Sequence, residues 1–179
     1  MTSSCRCACD HQSRRFVLAG LAGSAVMLPA ALAAASSVAE DERFMRLALA
    51  QARRADFPFG AVIVRNGRLL ARGRNLGKTN DDPTAHGEMV AIRRCLAAHG
   101  SKALRGSELY TTGEPCAMCM GAILWSGVRR LVFAASVQQL STKIGQIMIS
   151  SAEVAAKSPF APIEIAGGVL ADEAMALFK

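Results

Sequence analysis

The sequence is poor in residues that ligate metals or form disulfide bonds once its first eleven residues are set aside. That stretch holds three of the six cysteines and one of the three histidines: Cys5, Cys7, Cys9 and His11. The remaining ones are Cys95, Cys116, Cys119, His86 and His99. An odd number of cysteines argues against a disulfide framework. A nitrogen- and sulfur-ligated metal site in the main part of the chain must therefore use these five residues.

Aromatic residues are also scarce, at 5% of 179 residues. None is interleaved with the basic pairs, which are Arg53-Arg54, Arg93-Arg94 and Arg129-Arg130. Nucleic-acid-binding surfaces commonly combine basic clusters with aromatic platforms. The whole chain has a formal charge of +7, and residues 36–179, with 18 basic and 13 acidic residues, have +5. We therefore interpret the pairs as solvated faces and do not expect a nucleic acid partner.

No apolar run near the N-terminus is long enough to predict a membrane span. Residues 16–28 form an apolar run that is too short and too rich in small residues. Arg14 and Arg15 precede this run, and residues 31–33 (Ala-Leu-Ala) follow it as a small-x-small cleavage pattern. The pattern resembles a twin-arginine signal. The alternative is a chance basic and apolar start or a wrongly assigned start codon.

The resulting domain prediction divides the chain at about residue 35. Residues 1–35 are expected to be an export signal, discarded together with Cys5, Cys7 and Cys9. Residues 36–179 are expected to be one exported, periplasmic domain with no stable membrane anchor after cleavage.

Two short motifs carry the chemistry. Residues 83–88 read P-T-A-H-G-E, and residues 114–119 read E-P-C-A-M-C. An H-x-E motif followed by P-C-x-x-C is the signature of zinc deaminases that act on nucleobases. His86, Cys116 and Cys119 would give zinc three ligands and leave the fourth place for water, as in catalytic sites. Glu88 is then the carboxylate that moves protons.

Local sequence signals place both motifs at helix starts. Asp82 as N-cap and Pro83 as the first helical residue predict a helix to about residue 98. Pro115 predicts the start of a second helix, which Gly127 ends. Since His86 and Glu88 are about 200° apart on a regular helix, one metal serves both only beyond the helix end. Zinc is therefore expected between two helix N-termini. The alternatives are a redox Cys-x-x-Cys pair or a closed structural site completed by Cys95 or His99.

Strands and helices alternate along the rest of the domain. A helix is expected over residues 40–55, and Asn66-Gly67 predicts a hairpin turn between two strands. Further strands are expected over residues 108–112, 130–135 and 163–166. Residues 136–145 show no clear periodicity, and Ser150 with Glu153 forms a capping box for a short helix. This order predicts an α/β fold with a largely parallel sheet that the hairpin makes mixed.

Residues 80–88 and 112–122 resemble the cytidine deaminase-like superfamily, in the branch of bacterial guanine deaminases and tRNA-specific adenosine deaminases. The resemblance implies a three-layer α/β/α sandwich on a five-stranded mixed sheet, a bound zinc ion and a homodimer. It also implies that Asn75 contacts the substrate base and that Trp125 contributes to the pocket. The alternative roles are a turn residue for Asn75 and core packing for Trp125.

Three functions remain open from the sequence. They are deamination of a free purine base or nucleoside, deamination of adenosine at the tRNA wobble position, and a catalytically silent zinc-binding protein. Residues 58–61 and Leu124-Trp125 resemble the guanine deaminases, whereas residues 167–173 resemble the tRNA enzymes. Because the sequence ends at Lys179 without the basic tail of those enzymes, and because an exported enzyme would not meet tRNA, we expect a guanine-type small-molecule substrate. Phe59 and Trp125 are expected to form apolar pocket walls.

The export prediction can be tested by fractionation. Replacing Arg14 and Arg15 by lysine is expected to trap the full-length chain in the cytoplasm, since the twin-arginine route requires both arginines. Immunoblotting of periplasmic and cytoplasmic fractions measures this. An uncleaved wild-type chain in the cytoplasm would contradict the prediction.

Overall fold

The computed structural model of the chain describes residues 30–178, with side chains described from residue 37. A single five-stranded sheet has the strand order β2–β1–β3–β4–β5. The strands are β1 (Gly60–Arg65), β2 (Arg68–Arg74), β3 (Glu108–Gly113), β4 (Arg130–Ala135) and β5 (Glu164–Gly167). β1 pairs antiparallel with β2 and β3, and the β3–β4 and β4–β5 pairs are parallel. The five-stranded mixed sheet is confirmed, but it is half parallel rather than largely parallel.

Helices cover both faces of this sheet. They are α1 (Ala30–Ala52), α2 (Gly87–His99), α3 (Ala117–Ser126), α4 (Val137–Ser141), α5 (Ser151–Ala156) and α6 (Ala171–Met175), with a 3-10 helix at Ser101–Ala103. Alternate residues of β1 divide between two buried clusters. Ala61 and Ile63 pack with α2 and α3, whereas Val62 and Val64 pack with α1. The α/β/α sandwich is therefore confirmed. None of the helices in residues 30–178 is both long and apolar enough to cross a membrane.

The hairpin turn forms as predicted. Asn66 and Gly67 both have positive φ angles, 51° and 69°. Two such residues in succession match the twist of the flanking strands. The turn fixes the register of β1 against β2, with Arg65 opposite Arg68. It thereby sets the position of Asn75, which directly follows β2.

Three helix boundaries differ from the predictions. The predicted start of α2 at Asp82 and Pro83 is wrong, because the helix begins at Gly87 with His86 as N-cap. The Asp82 carboxylate instead accepts hydrogen bonds from the backbone N–H and hydroxyl of Thr84, 2.8 and 2.6 Å away. Pro83 thus lies in a turn rather than in a helix. α1 begins at Ala30, ten residues before the predicted start, and ends at Ala52, three residues before the predicted end.

α4 was not predicted, although its signal is present. Ser136 and Gln139 form a capping box at its start, in which each side chain bonds to the other's backbone N–H. Only five residues follow the cap, which is too few to show a helical periodicity.

The N-terminal predictions lie mostly outside the described residues. This applies to Arg14, Arg15 and the three N-terminal cysteines, and to the apolar run of the signal. The export signal and the periplasmic location remain predictions.

One close backbone contact fixes the start of α2 against the sheet. A Cβ atom on Gly73 in β2 would lie 2.1 Å from the carbonyl oxygen of Gly87 and 2.4 Å from the backbone nitrogen of Ala91. Both atoms belong to the first turns of α2, so a side chain at residue 73 would displace the helix. Glycine at this position lets α2 begin directly on the sheet.

Gly73→Ala is expected to lower the free energy of unfolding by about 1–3 kcal/mol, the usual cost of overpacking a core. Urea denaturation measures this. Gly121→Ala in α3 is the matched control, because no atom lies within 4 Å of the added Cβ. There the better helix propensity of alanine is expected to stabilise by up to about 1 kcal/mol. Equal stability of Gly73→Ala and wild type would show that α2 has room to move.

Candidate active site

Three donor atoms meet where two helices begin. His86 is the N-cap of α2, and Cys116 is the N-cap of α3, with Cys119 in the first turn of that helix. His86 Nδ1 lies 3.7 Å from Cys116 Sγ and 3.5 Å from Cys119 Sγ. All three donor atoms lie within 4.8 Å of one another. The predicted arrangement, with one metal position off the ends of two helices, is present in the fold.

The spacing of these atoms fits zinc. Zinc binds sulfur at about 2.3 Å and imidazole nitrogen at about 2.0–2.1 Å in tetrahedral geometry. These values place a nitrogen and a sulfur ligand about 3.6 Å apart, close to the observed 3.5 and 3.7 Å. A zinc ion would be held by His86, Cys116 and Cys119.

The alternative of a closed structural site lacks its fourth ligand. Cys95 is fully buried in the apolar cluster between the sheet and α2, and it is not in the donor group. His99 lies at the other end of α2, where its Nε2 is 3.2 Å from the carbonyl oxygen of Leu70. Among the described side chains, three residues form the group. A zinc ion here would keep one place for a non-protein ligand, as catalytic zinc does.

The two thiols share a hydrogen bond that prepares them for a cation. The Cys119 thiol lowers the pKa of Cys116 to about 4. The same bond, together with burial, raises the pKa of Cys119. One thiolate is therefore favoured at neutral pH, and a bound dication would stabilise the second.

Glu88 is a buried carboxyl group beside these ligands. It lies in the first turn of α2, and only 4% of it is exposed. Burial raises its pKa, because the charged form is poorly solvated. The hydroxyl of Thr111, from the neighbouring strand β3, donates a hydrogen bond to Glu88 Oε1 at 3.3 Å. A carboxyl group with a raised pKa suits reversible proton transfer near neutral pH.

A cavity of about 600 Å³ opens onto the donor group. Its lining includes His86 and Cys116, and the remaining lining residues are Asp56, Phe57, Phe59, Asn75, Gly77, Lys78, Ile144, Gly145, Gln146 and Ile147. The rings of Phe59 and Phe57 stack with 6.1 Å between their centroids. The predicted position of Phe59 in the pocket wall is confirmed.

Asn75 lies in the pocket wall and also shapes the turn that follows β2. Its backbone N–H donates to the carbonyl oxygen of Phe59 at 2.9 Å, and its own carbonyl oxygen accepts from Asp56 at 3.0 Å. Its side-chain Oδ1 accepts from the N–H of Gly77 at 3.0 Å. The two roles considered for Asn75, turn residue and pocket residue, are thus compatible. Contact with a substrate base remains a prediction.

The structure does not bring Trp125 to this pocket. The residue is 80% exposed and packs edge-on against Phe160, with 4.6 Å between ring centroids. It lies nine residues after Cys116, so about 13 Å along α3 separate it from the donor group. The alternative of core packing is also wrong, since the indole is on the surface.

Two parts of the site were missed from sequence. The segment of residues 142–149 supplies four pocket residues, among them Gln146, whose amide could both donate to and accept from a base. The Glu114 carboxylate accepts backbone N–H bonds at both sides of this segment. Neither has a local sequence signal, because each depends on which elements the fold brings together.

Comparison with known proteins agrees with this geometry. Residues 38–135 match the family described as the cytidine and deoxycytidylate deaminase zinc-binding region. The match covers more than half of the chain, so the chain belongs to this family and is a zinc-binding deaminase that acts on C–N bonds of nucleobases or nucleosides.

The relatives include tRNA-specific adenosine deaminases and a guanine deaminase. A tRNA-specific adenosine deaminase of Agrobacterium fabrum is 44% identical over 102 residues, covering 55% of this chain and 67% of that protein. A guanine deaminase of Bacillus subtilis is 47% identical over 78 residues, covering 44% of this chain and 50% of that protein. The matched part thus spans half to two thirds of these relatives.

A solved structure from a study of A-to-I editing by tRNA:A34 deaminases at the wobble position of transfer RNA has a TM-score of 0.66. It is 34% identical, and the match covers 75% of this chain and 98% of that one. The predicted superfamily and branch are confirmed.

The site predicts different outcomes for two substitutions. Glu88→Gln keeps the side-chain shape but cannot move protons, so zinc content should stay near one per chain while ammonia release falls at least about 100-fold. Cys119→Ser removes a ligand, and we expect it to lose zinc and stability together. Metal analysis, ammonia assay and thermal melting measure these. Near-wild-type activity of Glu88→Gln would remove Glu88 from the chemistry, and full zinc occupancy in Cys119→Ser would remove Cys119 from the site.

Proposed function

We propose that this deaminase acts on adenine within a single-stranded loop of RNA, with the tRNA wobble position as the first candidate. This reverses the preference for a free guanine-type substrate, which the comparisons do not confirm. The tRNA-specific adenosine deaminase of Agrobacterium fabrum is matched over 55% of this chain, against 44% for the guanine deaminase of Bacillus subtilis. The proposal also replaces the expectation that nucleic acid is not a partner.

The chain's own residues account for the proton transfers. When bound, zinc lowers the pKa of a coordinated water to about 7 and so supplies hydroxide at neutral pH. Oxygen adds to the ring carbon that bears the amine, and the C–N bond then breaks to release ammonia. Glu88 takes one proton from water and gives it to the ring nitrogen, and it then takes the second proton from the added hydroxyl group and gives it to the leaving amine. His86, Cys116 and Cys119 would hold the zinc ion where the cavity opens onto them.

The observation that carries the substrate class is the shape of the cavity mouth. About 600 Å³ is more room than one flat base fills, and it lies in the usual range for ligand sites. Phe59 is half-buried in the wall, whereas Phe57, stacked on it, is 42% exposed at the rim. Exposed Lys78 also lines the cavity. An inner aromatic ring for the reacting base, an outer one for its neighbour and a cation for phosphate suit a nucleotide strand.

Free guanine is the second candidate, because the Bacillus subtilis relative at 47% identity is a guanine deaminase. The sequence of the pocket segment, residues 58–61, also resembles that group. In this case Phe57 and Lys78 would have no substrate contact to make, since a free base has neither neighbour nor phosphate.

Cellular location separates the candidates independently. An exported enzyme would not meet tRNA, so the RNA proposal expects wild type in the cytoplasm, against the export signal expected from the sequence. The fractionation of wild type and of the Arg14 and Arg15 variant therefore bears on the substrate as well.

The RNA proposal predicts a selective effect of Phe57→Ala. We expect wild type to deaminate an anticodon stem-loop far faster than free adenine, adenosine or guanine. In the variant, kcat/KM for the stem-loop should fall about 5- to 150-fold, the loss of one base–aromatic stack. Turnover of any free base should change little. Ammonia release and inosine formation are the measurements.

Phe160→Ala is the matched control, since Phe160 is a similarly exposed ring, at 38%, outside this cavity. It should leave both substrates unaffected. Stem-loop turnover should also decline steeply with salt, with a slope of about −0.7 per phosphate contact. Faster turnover of free guanine than of the stem-loop, unaffected by salt and by Phe57→Ala, would favour the second candidate.

A further inference from the structure

We propose that Glu114 is a positioning residue that holds one wall of the substrate pocket in place by bonding to the starts of the two helices that flank it. The proposal rests on the deaminase function of the pocket, and it concerns residues 142–149, which we call the wall segment. This segment joins α4 to α5 and supplies Ile144, Gly145, Gln146 and Ile147 to the cavity lining.

Glu114 is placed where β3 leaves the sheet, two residues before Cys116. It is only 8% exposed. Its backbone N–H donates to the carbonyl oxygen of Ala135, at the end of β4, at 2.7 Å. The backbone of Glu114 is therefore anchored to the sheet, directly before the start of the metal-ligating helix.

The two carboxylate oxygens accept hydrogen bonds from two different helices. Oε2 accepts from the N–H of Val137 at 2.9 Å, and Oε1 accepts from the N–H of Ser151 at 2.8 Å. These residues are the first of α4 and of α5. A carboxylate can accept at both oxygens, which suits two donors on either side.

The helix caps leave these two donors for Glu114. The first N–H groups of a helix have no partner within the helix. Ser136 and Ser150 each accept from the third residue of their helix, through capping boxes at both starts. The first N–H of each helix is then satisfied by the one carboxylate of Glu114. The same group therefore fixes the entry to α4 and the exit from the wall segment into α5.

This role is distinct from metal binding and from general stability. Glu114 is not among the donor atoms that could hold the metal. Its loss should free the wall segment and weaken substrate binding, while His86, Cys116 and Cys119 still hold zinc. A merely structural role would lower the unfolding temperature without a selective effect on KM or on residues 142–149.

Glu114→Gln tests this, because glutamine has the same shape but only one acceptor oxygen. One helix start then faces an N–H group instead of an acceptor. We expect zinc content to remain at the wild-type level and KM to rise roughly 10- to 100-fold, as for a lost hydrogen bond to a charged group. We expect kcat to change less than KM. Amide hydrogen exchange should accelerate in residues 142–149 and remain as in wild type in α2.

Two further variants keep the test decisive. Ser151→Pro deletes the α5 donor at a position where proline is favoured, and Ser150 before it is already extended at φ −70° and ψ 156°. It should reproduce the KM effect, and combined with Glu114→Gln the effects should not add. Glu153→Gln is the control, since this exposed residue caps the same helix and glutamine serves equally well in a capping box. It should behave as wild type.

Wild-type KM and wild-type exchange of residues 142–149 in a folded, zinc-loaded Glu114→Gln protein would overturn the proposal. Loss of zinc in parallel with activity would also overturn it, because Glu114 would then act on the metal helix. If wild type turns over none of the substrates, the proposed function fails, and the exchange of residues 142–149 decides the role of Glu114.

Discussion

The starts of two helices, 30 residues apart in sequence, must meet closely enough for three donor atoms to reach one cation. This constraint explains why His86 and Cys116 are N-caps rather than helical residues: outside the helix, each side chain can turn toward the common point. It also agrees with the directions of the strands: β2 and β3 are both antiparallel to β1, so the chain leaves both strands toward the two caps at the same end of the sheet. The close backbone contact at Gly73 lets the start of α2, the first of the two helices, lie directly on the sheet.

The rest of the site is built around this point by buried polar groups. Glu88 accepts a hydrogen bond from Thr111 of β3. The low-dielectric surroundings of Glu88 raise the pKa of its carboxyl group. Glu114, two residues before Cys116, accepts hydrogen bonds from the starts of the two helices that flank the wall segment. The metal ligands, the acid/base Glu88 and the wall segment are therefore connected through β3 and the residues that follow it. Catalysis requires such groups to keep their distances from one another. The open mouth with Phe57 and Lys78 is the part left free to select the substrate.

The sequence predicted what depends on chemistry or on near neighbours in the chain. The three metal ligands follow from the donor types zinc prefers, and the Asn66-Gly67 turn follows from backbone conformation. The predicted start of α2 was wrong because an Asp side chain can either cap a helix or stabilise a turn. In this chain Asp82 bonds to Thr84 in a turn instead of capping the helix. Trp125 and the wall segment could not be placed, since their surroundings come from residues more than 20 positions away. Pocket walls made by such contacts carry no periodicity to detect.

The most direct test of the account is zinc K-edge X-ray absorption spectroscopy of the purified protein. The account predicts four ligands: two sulfur atoms at about 2.3 Å, one imidazole nitrogen at about 2.0–2.1 Å and one further light atom that is not from the protein. A spectrum with three sulfur atoms, or with two imidazoles, would place Cys95 or His99 on the metal. The site would then be closed, and a catalytic zinc in this chain would be contradicted.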